Sequence, residues 1–232
     1  MPPPLTAAYQ LMFNHFRHHH WWPGETPFEI CVGTILTQNT NWQNVERAIE
    51  NLRQGQALDL HTVARLSHNS LANMIRPAGY YNVKAKRLKA FASQVMTRHA
   101  GSLDSLFQQK TQAVRDELLT VKGIGPETAD SILLYAGNHA SFVVDAYTKR
   151  IFTRHRWVSG RASYDEIKRL CETSLNHVPN SRRLDYWQDY HAQLVNIGKD
   201  YCRPGNPRCD LCPLKSLLPS DGQPYSDPQP RA

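Results

Sequence analysis

Apolar residues recur along this chain at intervals of three and four, and no stretch sustains the strict alternation of a half-buried strand. That periodicity predicts an all-α protein. A first amphipathic helix runs from Leu5 to Phe16. A more uniformly apolar one spans Phe28 to Gln38, with Phe28, Cys31, Ile35 and Leu36 on its buried side. The polar run Thr37-Gln38-Asn39-Thr40-Asn41 breaks the pattern before a helix starts near Trp42, and residues 54–70 read as a polar connection around one short helix. Arg76-Pro77-Ala78-Gly79 makes a turn, after which Asn82 is expected to cap a basic helix carrying Lys84, Lys86, Arg87 and Lys89. Later helices are predicted over Ala146 to His155, Tyr164 to Asn176 and Leu184 to Ile197.

The pattern is most informative between Leu118 and Arg150. Val114, Leu118 and Leu119 end one helical stripe, and Ala129, Ile132, Leu133 and Ala136 begin another. Between them lies Val121-Lys122-Gly123-Ile124-Gly125, where two glycines suit positive φ and close approach of a ligand. Pro126 fits a first helical position, and Glu127 meets the positive end of the helix dipole. A helix, a glycine hairpin and a second helix with outward amides can hold a phosphate without reading a base. Asp145 follows the apolar run Phe142-Val143-Val144 and precedes a helix. It reads as an N-cap; in a cleft, the same carboxylate can also stabilise positive charge on a sugar.

Other polar and aromatic groups have two readings each. The residues around Gln38 serve as caps or touch a ligand. The basic helix is a solvated face or, beside Tyr80 and Tyr81, a seat for a phosphate backbone with an aromatic wedge. Trp21-Trp22-Pro23 reads as core or pocket, and His18-His19-His20 does not share one helical face, which disfavours a metal site.

Composition narrows the partner. The 232-residue chain is long enough for one large or two small domains, and its 27 Lys and Arg against 20 Asp and Glu give a formal charge of +7, which suits a polyanion. No apolar run reaches membrane-spanning length and the first residues are not a signal peptide, so a cytoplasmic protein with reduced cysteines is expected. Cys202, Cys209 and Cys212, spaced C-x6-C-x2-C, favour a metal. The Pro/Ser/Asp-rich tail, residues 219–232, is expected to be disordered.

The hairpin together with Val143-Val144-Asp145-Ala146-Tyr147-Thr148-Lys149-Arg150 resembles the endonuclease III-like superfamily of DNA glycosylases. Its signature is a helix-hairpin-helix, a Gly/Pro-rich loop and an aspartate. Leu36-Thr37-Gln38-Asn39-Thr40, Gly79-Tyr80-Tyr81-Asn82-Val83-Lys84-Ala85-Lys86-Arg87 and the cysteines extend the likeness over most of the chain. The resemblance implies a two-lobed helix-hairpin-helix fold: a helical barrel over residues 21–138, and a second lobe from residues 1–20 and 139–218, with Asp145 at the cleft. It implies a monomer acting on double-stranded DNA with a damaged base. Asp145 would stabilise an oxocarbenium-like sugar. Gln38 would fill the gap left by the flipped base and Tyr80 would act as the wedge. Asn82, Lys84, Lys122, Gly123, Ile124 and Gly125 would meet the DNA. Cys202, Cys209 and Cys212 would hold a 4Fe–4S cluster, although the family's fourth cysteine position is Leu218.

Two departures refine the resemblance. The lysine that forms a Schiff base in endonuclease III is here Glu127, which has no amine, and the family histidine after the aspartate is Tyr147. The chain is most similar to the monofunctional 3-methyladenine branch, in Trp21-Trp22-Pro23, in the polar run followed by Trp42, and in Glu127. Those residues become the expected base pocket, where indoles would stack on a cationic purine. The rival expectations are a glycosylase for oxidised pyrimidines or mismatched bases, and a DNA-binding protein without catalysis.

Overall fold

The structure is a computed structural model and describes residues 2–19, 24–221 and 224. Among them every regular element is helical and none is a strand. The helices are α1 (Leu5–Phe16), α2 (Pro27–Leu36), α3 (Trp42–Gln54), α4 (Leu60–Arg65), α5 (His68–Met74), α6 (Tyr81–His99), α7 (Leu103–Phe107), α8 (Thr111–Thr120), α9 (Pro126–Ser131), α10 (Ala146–Arg154), α11 (Tyr164–Ser174) and α12 (Asn180–Asp200). No described helix is long and apolar enough to cross a membrane. Internal packing divides the chain into two compact units, Trp22–Ser141 and Met1–Trp21 with Phe142–Ala232.

In the unit Trp22–Ser141, α2 is the axis. Eight of its residues are buried, Phe28 to Leu36 except Ile30, so it is apolar nearly all round, as a helix enclosed by others must be. Thr26 caps it, its hydroxyl accepting from Glu29 N–H. α3 turns only one stripe inward, Val45, Ala48, Ile49 and Leu52. Residues 54–70, expected to hold one short helix, contain α4 and the start of α5, capped by Asp59 and Ser67. Each such cap contributes about 1 kcal/mol. α6 buries Ala85, Leu88, Phe91, Ala92 and Val95, and α9 runs on into a π-helical turn over Ile132–Ala136.

The other unit is built on α12, whose residues Trp187 and Asp189 to Ile197 are buried except Asn196. α1 packs on it through a cluster of Tyr9, Tyr186 and Tyr190, with the Tyr9–Tyr186 ring centroids 4.2 Å apart. The buried Asp189 carboxylate accepts from Tyr9 Oη and from His19 N–H, each at 2.7 Å. A capping box of Ser163 and Glu166 starts α11. The expected disordered tail falls mostly outside the described residues.

Candidate functional site

The turn between α8 and α9 has the predicted order, but its two glycines have different reasons to be there. Gly123 adopts φ +93°, and a Cβ on it would stand 2.5 Å from Arg87 Cγ. Gly125 is extended at φ −96°, ψ 179°, and a Cβ there would meet nothing within 4 Å. Only the first needs glycine for its backbone, which corrects the expectation of positive φ at both. Val121 and Ile124 are buried and pin the turn to the core; the Ile124 side chain is therefore an anchor, not a DNA contact. Lys122, Gly123, Gly125 and Glu127 are exposed. Pro126 stands at the first helical position of α9, with no side-chain cap before it.

Gln38 is carried to this hairpin. Its Nε2 donates to Gly123 O at 3.2 Å and to Thr128 Oγ1 at 2.9 Å, while its Oε1 accepts from Arg87 Nη1. The neighbouring polar residues are local fittings: Thr37 bonds back to Gly33 O and Asn41 caps α3. Arg87, expected only as one of the residues of the basic helix face, lies over Gly123 and ties α6 to the hairpin. About two turns before it on α6, Tyr80 is the N-cap, in the left-handed region at φ 45° and 73% exposed. A non-glycine residue there costs about 1–2 kcal/mol, and an exposed aromatic ring on such a backbone points to a use outside the fold. Because Tyr80 takes the cap position, Asn82 lies inside the first turn and does not cap.

Lys84 corrects the sequence expectation most sharply. It is 1% exposed, and its Nζ donates to Leu36 O at 2.8 Å and Ala78 O at 2.7 Å. It closes the end of α2 instead of meeting a phosphate, and burial lowers its pKa to about 8, with Arg87 nearby adding to the shift. Lys89 likewise donates to Ala64 O and Leu66 O. Carbonyls at helix ends lack partners within the helix, and these lysines supply them.

Trp42, half-buried, lies across Gly33, where a Cβ would stand 3.3 Å from its Cη2. Its Nε1 donates to Glu46 at 2.8 Å. It forms one wall of a cleft of about 570 Å³ with Gly24, Glu25, Glu29, Glu46, Ile49, Glu50 and Arg53. Arg53 pairs with Glu29 at 3.0 Å and Glu50 at 2.8 Å, which leaves the lining acidic. Trp21, Trp22 and Pro23 lie outside the described residues.

In the other unit, Asp145 caps α10: its Oδ1 accepts from Thr148 N–H at 2.7 Å. Its Oδ2 stands 3.6 Å from Nε2 of His191 on α12, an ion-pair distance slightly beyond hydrogen-bond length. Burial opposes the ionised carboxylate, but the His191 imidazole and the Thr148 N–H more than offset this, and the pKa lies below the ordinary aspartate value. α10 and α12 meet closely because Gly198 has no side chain: a Cβ there would be 2.2 Å from Tyr147 Cδ1. Arg150 adds bonds to Cys202 O and Gly198 O. His191 was not among the predicted site residues, since only folding brings it to Asp145.

Cys202, Cys209 and Cys212 line a second cavity, shared with His155 and Leu218. Arg154 Nη1 donates to Cys202 Sγ at 3.3 Å, and burial pushes the Cys212 thiol up to about 11. Among the described residues no group of three or more His, Cys, Asp or Glu is disposed to hold a metal ion. As they stand, the three thiols do not form the four-ligand site that a 4Fe–4S cluster uses.

The pattern of the HhH-GPD superfamily base excision DNA repair proteins matches residues 32–177, more than half of the chain and both the hairpin and Asp145. The chain belongs to that superfamily. It is 44% identical over 214 residues, 92% of this chain and 94% of its relative, to the Methanocaldococcus jannaschii protein MJ1434, provisionally named a DNA repair glycosylase. It is 27% identical to Thermotoga maritima endonuclease III over 191 residues, 82% of this chain and 81% of that one. The solved H. pylori 3-methyladenine DNA glycosylase, bound to 1,N6-ethenoadenine, is similar with a TM-score of 0.69 and 29% identity, covering 83% of this chain and 94% of that one. A trapped endonuclease III–DNA covalent intermediate gives a TM-score of 0.77 at 20% identity over 94% of this chain and 95% of that one, a likeness of fold. This HhH-GPD protein is a base-excision DNA glycosylase.

Proposed function

We propose that this HhH-GPD enzyme is a monofunctional glycosylase that removes alkylated purines, 3-methyladenine chief among them, from double-stranded DNA. The observation that carries the reading is Glu127. The position where endonuclease III-like enzymes place a Schiff-base lysine holds an exposed carboxylate one residue into α9. A carboxylate forms no imine, and without an amine at that position the attack on C1′ falls to water. The acidic cleft beside Trp42 suits a cationic base, and the 29% identity to an enzyme named for 3-methyladenine supports the same choice.

The exposed Gly123 and Gly125 backbone and Lys122 would hold phosphates, while Gln38 and Tyr80 enter the space of the flipped nucleotide. As the C1′–N bond breaks, its electron pair leaves with the cationic base, which departs neutral and needs no proton. The sugar takes up the positive charge, and the Asp145 carboxylate stabilises it. Water then adds to C1′ and loses its proton, leaving an abasic site.

The test is release of free base from methylated duplex DNA by the wild type and by Asp145→Asn, with borohydride trapping in parallel. The reading expects 3-methyladenine from the wild type, none from the variant, and no trapped complex. A trapped complex would return Lys122 or Lys149 as a nucleophile. Activity only on oxidised pyrimidines or mismatches would keep the enzyme class and overturn the pocket.

A further inference from the structure

The fold contains an internal control for Asp145. Asp59 also caps a helix, α4, through Thr62 N–H at 2.8 Å, but it is exposed and its second bond is to the same threonine's hydroxyl. An N-cap needs no more than this. Asp145 has the same first bond, yet it is largely buried and draws its second partner from a different helix. His191 is itself only 6% exposed, so an imidazole and a carboxylate have both been taken out of water to stand together. Burying two such groups is costly unless they serve each other. His191 lies seven residues, about two turns, before Gly198, on the α12 face that takes Tyr147 of α10. The Arg150 bonds to Gly198 O and Cys202 O fix the same two helices further along.

We infer that His191 is a positioning residue for Asp145: its Nε2 holds the Oδ2 side of the carboxylate so that the charge keeps one orientation toward the sugar cation. The inference rests on the assignment of Asp145 as the stabilising acid. Thr148 N–H holds Oδ1, and His191, 3.6 Å from Oδ2, restricts rotation of the carboxylate. The 3.6 Å separation is of the kind that shortens when a substrate complex forms. His191 itself touches neither base nor sugar in this role.

The experiment compares wild type, Asp145→Asn, His191→Leu and His191→Gln by single-turnover base release from methylated duplex. Affinities are measured in parallel for duplexes carrying a cationic pyrrolidine or a neutral tetrahydrofuran abasic-site analogue. His191→Leu is expected to slow release on the order of 100-fold, as loss of orientation does. It should also weaken binding of the pyrrolidine duplex while leaving the tetrahydrofuran duplex unchanged. His191→Gln, which keeps an N–H donor, should recover most of both. Equal losses for the two analogues would mean a merely structural role and overturn the inference. So would a fully active His191→Leu beside an inactive Asp145→Asn. An active Asp145→Asn would overturn the role of the aspartate, and this inference with it. Should His191→Leu fail to fold, His191→Asn takes its place: it is too short to reach Oδ2, and behaviour equal to His191→Gln would refute positioning.

Discussion

Two helices of this glycosylase start on nearly the same backbone and are finished in opposite ways. Gly125 before α9 has φ −96°, ψ 179°, and Asp145 before α10 has φ −90°, ψ −179°. Each leaves unpaired amides at a positive helix end. At α10 the chain supplies its own anion: the Asp145 carboxylate accepts from Thr148 N–H and has His191 beside it. At α9 the residue before the helix is an exposed glycine, so no side-chain cap forms, and the carboxylate in the first turn, Glu127, is itself exposed. A closed start keeps a fixed negative charge in place, whereas an open start is available to an anion from outside. Under the proposed function, one backbone conformation would thus serve catalysis at one site and phosphate binding at the other.

The closed start should be the easier to damage. Gly198→Ala places a Cβ 2.2 Å from Tyr147 Cδ1 and 2.7 Å from its Cβ, so the ring is met near its root and α10 must move. We expect a loss of about 2–3 kcal/mol by urea denaturation. Because Tyr147 is two residues from Asp145, single-turnover base release should also fall on the order of 100-fold. A loss of stability with the rate intact would mean that Asp145 does not depend on this packing.

The open start has a different weak point. Gly123→Ala forces alanine to φ +93° and displaces Arg87, freeing Gln38 from one of its partners. A cost of about 1–2 kcal/mol is expected, together with weaker binding to an abasic-site duplex in a salt titration and an unchanged rate once bound. Gly125→Asp goes further toward breaking the comparison, since it would give α9 the cap that α10 has. The backbone already suits it, and a Cβ meets nothing within 4 Å. Stability should rise by a few tenths of a kcal/mol, while duplex affinity falls about tenfold as the new carboxylate occupies the phosphate's place. Unchanged affinity would show that α9 holds no phosphate.

How far these features could be read in advance depended on whether they were local. The all-α class follows from periodicity, and α1 was predicted with its observed bounds, Leu5–Phe16. The hairpin order and the capping position of Asp145 were legible because each is written within a few consecutive residues. Lys84 was misread because a helical pattern shows which face is basic but not that the end of α2 lies against it. Asn82 was misread because Tyr80 adopts a left-handed conformation that residue preferences disfavour, moving the cap two residues earlier. Arg87 and His191 could not be singled out, since their partners lie 49 residues away in one case and 46 in the other (87 − 38 and 191 − 145). The cysteine spacing was legible as a motif, and so was Leu218 at its fourth position, but the sequence did not show that Leu218 lines one cavity with the three cysteines.

The smallest effect separates the cap from the charge at the closed start. Asparagine caps a helix about as well as aspartate, so Asp145→Asn should leave α10 intact and stability near neutral pH only slightly reduced. What it removes is the ionised carboxylate, whose pKa lies below its ordinary value of 3.8 in the folded protein. A group with a lowered folded pKa contributes stability that is fully present above the unfolded value and is lost as pH falls through the folded one. The small difference in urea midpoint between wild type and Asp145→Asn should therefore be constant near neutral pH and close on the acid side of 3.8. A difference that persists at lower pH would mean that the aspartate acts through packing rather than charge. The variant is expected to be folded yet inactive, because the helix needs only an acceptor at that position, while the role proposed for Asp145 at the sugar needs a negative charge.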